Sequence, residues 1–168
     1  LLLFRRKDIK MKRLPKYTPA EVRNDPYGFT YKEMSEVIGE NEAKALYEEL
    51  YKQLPRKKNL SMLVKNICKS SDTEKYVYEL KDNKYIETVF IKRRDGGTVC
   101  VSTQVGCPVG CIFCESGRNG FVRNLTSSEI VQQIILLRRK VNRIVFMGMG
   151  EPLFNYDNLI KAIHILRD

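Results

Sequence analysis

Three cysteines lie within eight consecutive positions of this chain, and their spacing constrains it more than any other feature. Cys107, Cys111 and Cys114 follow a C-x3-C-x2-C pattern, with Gly106 and Gly110 beside them to allow tight turns. Three thiolates can hold three irons of a four-iron cubane, whereas most electron-transfer clusters take four cysteine ligands. A fourth iron without a protein ligand can bind and reduce a substrate. The spacing therefore predicts a loop that anchors a [4Fe–4S] cluster with one iron open to bind and reduce a substrate.

A structural zinc site is the main alternative for the same cysteines. Zinc in such sites takes four ligands, and the only histidine, His164, lies about fifty positions beyond Cys114 in an amphipathic pattern. Cys68 and Cys100 bring the cysteine count to five. An odd number with three crowded together is a poor disulfide framework. Cys68 is interpreted as a small buried side chain.

The charge balance indicates a polyanionic partner. The chain of 168 residues carries a formal net charge of +10, and nucleic acid is the commonest partner of such a protein. Residues 1–16 are strongly basic, which predicts either an arm on RNA phosphates or a solvated tail. Five further cations, whose role stays open between RNA contact and solvation, are Arg118, Arg123, Arg138, Arg139 and Lys140.

The sequence contains no signal peptide and no apolar run near the roughly 18 residues of a membrane span. We therefore expect a cytoplasmic protein without membrane contact. The chain begins without Met, and its last predicted helix runs to the final residue. We therefore expect a fragment of a longer polypeptide.

The first part of the chain has a helical period. Prolines predict an irregular segment up to about residue 28, after which apolar residues recur at helical spacing. The predicted helices cover 31–38, 41–53 and 60–68. They predict a small helical accessory domain over residues 17–74, after the basic tail over 1–16.

From residue 75 the period changes to two, and strands over 75–80, 85–93 and 98–103 predict a β-meander. Thr126 and Glu129 form a capping box at the start of a helix to about residue 139. A strand over 143–147 and a helix over 156–167 follow. This β-α-β-α order predicts a parallel sheet with helical crossovers. Sites in such folds lie at the carboxyl ends of strands, where the cysteine loop and the loop after residue 147 both fall.

The loop after the 143–147 strand is the second informative motif. Its sequence is Gly148-Met149-Gly150-Glu151-Pro152. A glycine-rich turn exposes backbone groups that can hold a small polar ligand, and the Glu151 carboxylate can accept hydrogen bonds from an ammonium group. Alone, this motif is weak evidence for a ligand site, because a glycine-rich turn often has no role beyond reversing the chain. Its position one helix and one strand after the cysteine loop makes the evidence stronger.

Together the two motifs resemble the radical S-adenosylmethionine (SAM) superfamily, and the wider sequence resembles its RlmN/Cfr family of RNA adenine methyltransferases. The matching stretches are Cys100–Cys107, Gly120–Thr126, Glu129–Ile130, Gly148–Leu153 and Asn155–Asn158. The resemblance covers residues 75–168 well and the helical part loosely. It implies an α/β fold with a small N-terminal helical accessory domain, a β-meander, and then the first βα units of a partial (β/α)6 barrel.

The resemblance also implies roles for particular residues. The three loop cysteines would ligate the [4Fe–4S] cluster, and Gly150 and Glu151 would lie on the SAM side. Cys100, seven positions before Cys107, matches the family's resolving cysteine, which implies a disulfide bond during the reaction. Glu87, thirteen positions before Cys100, matches its proton acceptor. Read without the family, Cys100 is a core cysteine and Glu87 a solvent-face carboxylate.

The implied reaction methylates an adenine in 23S rRNA and, in many members, one in tRNA. RlmN-type members act at C2 and Cfr-type members mainly at C8 of the same rRNA adenine, and Pro152 is the RlmN form of the motif, which favours C2. A methylated cysteine near the C-terminus carries the methyl group, a radical derived from SAM activates it, and a flavodoxin or ferredoxin supplies electrons. No cysteine follows Cys114 here, so we expect the 168 residues alone to be inactive.

Metal analysis separates the leading interpretation from the zinc alternative. A radical SAM site predicts iron and acid-labile sulfide with the absorbance of a cubane cluster. A basic RNA-binding module with a structural zinc predicts one zinc per chain and no sulfide. A different radical SAM enzyme would also contain the cluster, but the matches at Cys100 and at Asn124-Leu125-Thr126 favour the RlmN/Cfr type.

Overall fold

The computed structural model describes residues 17–51 and 60–168. The basic tail predicted over 1–16 lies outside the described residues. Two predicted helices are confirmed, one as α2 (Tyr31–Ile38) and the other as α3 (Glu40–Tyr51), although residues 52–53 of the second prediction lie outside the described residues. A further helix, α1 (Pro19–Asn24), precedes them.

Helix α1 corrects the prediction of an irregular segment up to residue 28. The Thr18 hydroxyl accepts a hydrogen bond from the Glu21 amide, and the Glu21 carboxylate accepts one from the Thr18 amide at 2.7 Å. Pro19 occupies the first helical position, where its missing N–H costs nothing. Proline at this position starts a helix, so reading it only as a helix breaker was wrong.

The predicted helix over 60–68 is also wrong, because this segment forms strand β1 (Met62–Lys69). It pairs antiparallel with β2 (Thr73–Leu80), and a bulge between Val64 and Asn66 breaks its alternation. That break gives the apolar residues a helix-like spacing. Because β1 is an edge strand, Cys68 is exposed, which corrects its prediction as a buried residue.

The predicted β-meander is confirmed by β2, β3 (Tyr85–Arg93) and β4 (Gly96–Cys100). Two short strands, β5 (Gln104–Gly106) and β6 (Phe121–Asn124), pair with each other on either side of the cysteine loop. Helix α4 (Ser127–Ile135), strand β7 (Arg143–Val145) and helix α5 (Tyr156–Ile165) follow.

The main sheet has the strand order β1-β2-β3-β4-β7, and β7 runs parallel to β4. The β4-α4-β7-α5 succession therefore has the parallel pairing that the sequence predicts. The predicted capping box is present, since Thr126 and Glu129 cap α4 reciprocally. The division of the chain at residue 74 stays a prediction, although β1 places residues 62–69 in the sheet.

The N-terminal helices pack against the second half of the chain. A 3-10 turn at Pro26–Gly28 contacts α4 and α5, and Tyr27 in this turn is fully buried. The Lys161 ammonium on α5 donates to the Tyr17 hydroxyl at 2.8 Å and lies over the ring of Phe29. This packing attaches the helical segment to α4 and α5.

Gln133 on α4 joins that helix to the sheet through a fully buried amide. Its Oε1 accepts hydrogen bonds from Thr88 Oγ1 at 2.7 Å and from the Ser102 amide at 2.8 Å. Its Nε2 donates to the Ser102 carbonyl at 2.9 Å. Because buried polar groups need partners, this one side chain fixes the position of residue 102, just before the cysteine loop.

Arg123, one of the five cations whose role the sequence left open, has a clear structural role. Arg123 forms ion pairs with Glu129 and with Asp82, both at 2.8 Å. These bonds raise the pKa of the Arg123 guanidinium and lower that of the Asp82 carboxyl. Arg123 therefore ties β6 to α4 and to the turn after β2.

Within residues 17–51 and 60–168, no helix is long and apolar enough to cross a membrane.

We expect Gln133→Leu to lower the free energy of unfolding by about 2–4 kcal/mol, since each unpaired buried polar group costs about 1–3 kcal/mol. Thr88→Val removes one donor and leaves the Ser102 bonds intact, so it should cost less. Urea unfolding measures both, with the exposed Lys32→Ala as a control expected to stay within about 0.5 kcal/mol of the unchanged protein. A Gln133→Leu midpoint equal to the control's would contradict this role.

Candidate cluster and cofactor site

The cysteine loop begins where β5 ends. Gly106 has a φ of +73°, and a Cβ there would collide with the carbonyl oxygen of Gly120. The Cys107 amide donates to that same carbonyl at 3.2 Å, and the Cys114 amide donates to the Cys111 carbonyl at 3.0 Å. The base of the loop is therefore closed against β6, and its end is a tight turn.

The loop presents its thiols to solvent. Cys111 is exposed, Cys107 and Cys114 are half-buried, and all three are unpaired. The neighbouring Ile112 and Phe113 are 99% and 90% exposed. Among residues 17–51 and 60–168, no three His, Cys, Asp or Glu side chains are grouped so as to hold a metal ion. The loop thus supplies three accessible donors without a converged ligand geometry.

This donor set fits a cluster with one open iron better than a structural zinc. Zinc needs a fourth ligand, and the predicted alternative was His164. That histidine lies in the last turn of α5, 50 positions after Cys114. The loop itself offers three thiolates, and these match the three protein-held irons of a cubane.

The second motif lies directly against the segment that leads into the cysteine loop. The Met149 carbonyl accepts hydrogen bonds from the amides of Thr103 at 2.9 Å and Gln104 at 3.2 Å. The Gly148 amide donates to the Val101 carbonyl at 3.1 Å. These bonds continue the parallel pairing of β4 with β7 and bring the two predicted loops to one edge of the sheet.

Glycine is required at two positions of this contact. A Cβ on Gly148 would lie 2.7 Å from the Val101 backbone, and one on Gly150 would lie 2.6 Å from Gln104 Cβ. Gly150 also has a φ of +102°, which side chains rarely adopt. The close approach of the 148–151 loop therefore depends on these glycines.

Two buried polar residues hold this edge together, and neither was predicted to have a role. Gln104 accepts from the Glu151 amide at 2.9 Å and donates to Asn124 Oδ1 at 2.7 Å. Asn155 donates to the carbonyls of Thr103 and Leu125, both at 2.7 Å. A signal was available, because Ser102-Thr103-Gln104 interrupts an apolar run between Val101 and Val105.

The Glu151 carboxylate has one oxygen occupied. Its Oε1 accepts from the Leu153 amide at 3.1 Å, which caps a 3-10 turn at Pro152–Asn155. Its Oε2 accepts no hydrogen bond from the residues that the structure describes. The half-buried Glu151 can therefore receive a donor such as an ammonium group at Oε2.

Cys100 and Glu87 lie on the same face of the sheet, opposite the face that α4 covers. Cys100 pairs with Val89 on β3, and Glu87 is two positions from Val89 on that strand. Diagonal neighbours on one sheet face are about 7–8 Å apart. Burial raises the pKa of the Cys100 thiol, and a backbone hydrogen bond at Met147 partly opposes the rise. The structure thus brings the two residues near each other, and their roles stay predictions.

The chain resembles known proteins both in sequence and in fold. A match to the Radical SAM superfamily covers residues 101–168. The chain therefore resembles this superfamily over residues 101–168. A crystal structure of a radical SAM methyltransferase from Sphaerobacter thermophilus superposes with a TM-score of 0.76 at 31% identity, covering 86% of this chain and 52% of that one.

Two curated relatives are named probable dual-specificity RNA methyltransferase RlmN. The protein from Thermotoga sp. (strain RQ2) is 51% identical over 111 residues, covering 64% of this chain and 32% of that protein. The protein from Thermosipho melanesiensis is 41% identical over 162 residues, covering 92% of this chain and 46% of that protein. The chain therefore spans about a third to a half of these relatives' length.

These comparisons confirm the predicted RlmN/Cfr resemblance and the predicted α/β fold. They leave the predicted ligands, SAM contacts, resolving cysteine and proton acceptor untested. The predicted disulfide bond has no support in the structure, because all five cysteines are free.

We expect burial to make the Cys100 thiol slow to alkylate near neutral pH, because the thiolate is the reactive form and the pKa of Cys100 is raised. Iodoacetamide labelling, followed by mass spectrometry of the Cys100 peptide, should give a rate–pH midpoint above that of the same cysteine in the urea-unfolded chain. Equal midpoints in the folded and unfolded chains would contradict the effect of burial.

Proposed function

We propose that this chain is part of a radical SAM RNA methyltransferase that methylates C2 of an adenine in 23S rRNA and also acts on tRNA. The observation that carries the proposal is the contact between the two loops. Hydrogen bonds from Thr103 and Gln104 to Met149 set a three-cysteine loop beside a glycine-rich loop that ends in Glu151. The RlmN names of the relatives support RNA as the substrate class.

In this proposal Cys107, Cys111 and Cys114 hold a [4Fe–4S] cluster through their thiolates. Gly150 and Glu151 bind the amino-acid part of SAM, with Glu151 Oε2 accepting from its ammonium group. When bound, the cluster and SAM supply the radical chemistry, with electrons from a flavodoxin or ferredoxin. The exposed Ile112 and Phe113 beside the thiols would help to exclude water once a ligand covers them.

Glu87 and Cys100 act on the adenine side of the site. Glu87 is the acceptor of the proton lost from C2, which requires a carboxylate that reaches the base. Cys100 is the resolving residue. Its thiolate would attack the sulfur of the methyl-carrying cysteine and form a disulfide as the bond from that sulfur to the RNA-bound carbon breaks, and that carbon would take up a proton to become the methyl group. The excess electron would return to the cluster, and the electron donor would reduce the disulfide. Glu87 and Cys100 lie on the same sheet face, which supports assigning both of them to the adenine side of the site.

Two further points support the finer assignment. Pro152 follows Glu151, as in the RlmN form of the motif, which favours C2 over the C8 position of Cfr-type enzymes. The methyl-carrying cysteine is absent from residues 1–168, and the chain spans only 32% of its Thermotoga relative. We infer that residues 1–168 do not complete the reaction alone, and that five unpaired thiols belong in a reducing cytoplasm.

A methylation assay tests this function. The full-length, cluster-loaded enzyme is incubated with SAM, reductant and RNA, and the digested nucleosides are identified by mass spectrometry. We expect 2-methyladenosine from 23S rRNA fragments and from tRNA, and at least a hundredfold loss of product for Glu87→Gln, because general bases contribute about 10²–10⁴-fold.

Residues 1–168 alone, loaded in the same way, are the matched control and should give no methylated nucleoside. Formation of 8-methyladenosine would contradict the C2 assignment. Product formed by residues 1–168 alone would contradict the need for a further cysteine, and no RNA product from the full-length enzyme would contradict the proposed function itself.

A further inference from the structure

The Glu87 carboxylate is held by a neighbouring lysine that neither the motifs nor the comparisons assign. Lys75 on β2 donates from Nζ to Glu87 Oε1 at 2.9 Å. The hydrogen bond to Glu87 raises the pKa of Lys75, so the lysine is charged at neutral pH. Glu87 Oε2 accepts no hydrogen bond within residues 17–51 and 60–168, so one oxygen is held and the other is available.

The backbone of Glu87 is fixed as well. The Ser102 hydroxyl donates to the Glu87 carbonyl at 2.6 Å and accepts from the Met149 amide at 3.0 Å. Ser102 is itself held by the buried Gln133 amide. The Ser102 hydroxyl therefore links the Glu87 backbone to the glycine-rich loop. The Glu87 side chain is the part that this link leaves free to move, and Lys75 holds it.

The sheet register places this pair close to Cys100. Val89 lies opposite Lys75 on one side and opposite Cys100 on the other, while Glu87 is two positions along the same strand. Lys75, Glu87 and Cys100 thus surround Val89 on the face that α4 leaves open. On β1 the titratable residue facing Lys75 is Cys68, which is opposite it in the register.

We propose that Lys75 is a positioning residue that holds Glu87 by Oε1 and leaves Oε2 directed to take the proton from the adenine carbon. This inference rests on the proposed function, because it deepens the role of Glu87. The proton passes from C2 to Glu87 Oε2 and then to solvent, and Lys75 remains protonated throughout. A lysine that only stabilised the sheet would affect folding and not this proton transfer.

The chain offers a matched control on the same sheet face. Lys65 on β1 donates to Glu79 Oε2 on β2 at 3.1 Å, which is also a cross-strand lysine–glutamate pair. Glu79 pairs with Tyr85 at the far end of β3, away from Cys100. Lys65→Met therefore removes the same kind of ion pair without touching Glu87.

The experiment compares Lys75→Met, Lys75→Arg and Lys65→Met in the full-length, cluster-loaded enzyme, with an RNA hairpin that carries adenine or C2-deuterated adenine. We expect Lys75→Met to lower kcat at least tenfold, with KM within about twofold, because a general base must lie within hydrogen-bonding reach of the proton that it removes. The deuterium isotope effect on kcat should increase, since proton removal becomes slower. Lys75→Arg should recover most of the rate, and Lys65→Met should match the unchanged enzyme.

Two further measurements keep the result interpretable. In a Glu87→Gln background, Lys75→Met should have no additional effect on kcat, because the lysine acts through that carboxylate. Urea unfolding should give the Lys75→Met and Lys65→Met variants similar midpoints, which excludes a folding defect.

The outcomes separate this inference from the function on which it rests. An unchanged isotope effect for Lys75→Met would overturn the positioning role. So would a loss of rate from Lys75→Met in the Glu87→Gln background as large as its loss in the unchanged enzyme. In either case, C2 methylation by the unchanged enzyme would still uphold the proposed function. Absence of 2-methyladenosine from the unchanged enzyme would overturn both.

Discussion

The hydrogen bonds that join residues 101–104 to residues 145–149 are the interaction on which the rest of the site depends. They extend the parallel pairing of β4 and β7 past the ends of both strands, with Met149 accepting from Thr103 and Gln104. Because parallel strands end at the same edge of a sheet, this pairing places two loops from distant parts of the sequence together. Gly148 and Gly150 make it possible, since a Cβ at either position would collide with the neighbouring segment.

Much of this arrangement is predictable from the sequence. The period-two pattern from residue 75, the capping box at Thr126 and the apolar stretch from Arg143 give the meander, helix α4 and strand β7 in the right order. The cysteine spacing by itself draws attention to the loop, because three thiolates match the three protein-held irons of a cubane. The resemblance then names Glu87 and Cys100, and the register brings them to one face.

Other features could not be predicted, for physical reasons. The bulge in β1 hides its alternation, so the apolar spacing suggested a helix where antiparallel pairing with β2 forms a strand. The links made by Gln133 and Asn155 join residues far apart in sequence. The Lys75–Glu87 link crosses between neighbouring strands, and a single sequence does not show which polar side chains meet there. These contacts position the residues that the motifs identify, so they connect the fold to the proposed chemistry.

We propose that the three-cysteine loop leaves one iron for SAM beside the Gly148–Glu151 loop. Electron–nuclear double resonance on the reduced, cluster-loaded enzyme tests it directly, with SAM carrying nitrogen-15 in its amino group. We predict a hyperfine coupling between the cluster and that nitrogen, because the open iron is the one without a thiolate. An intact cluster that shows no coupling to bound SAM would contradict the account.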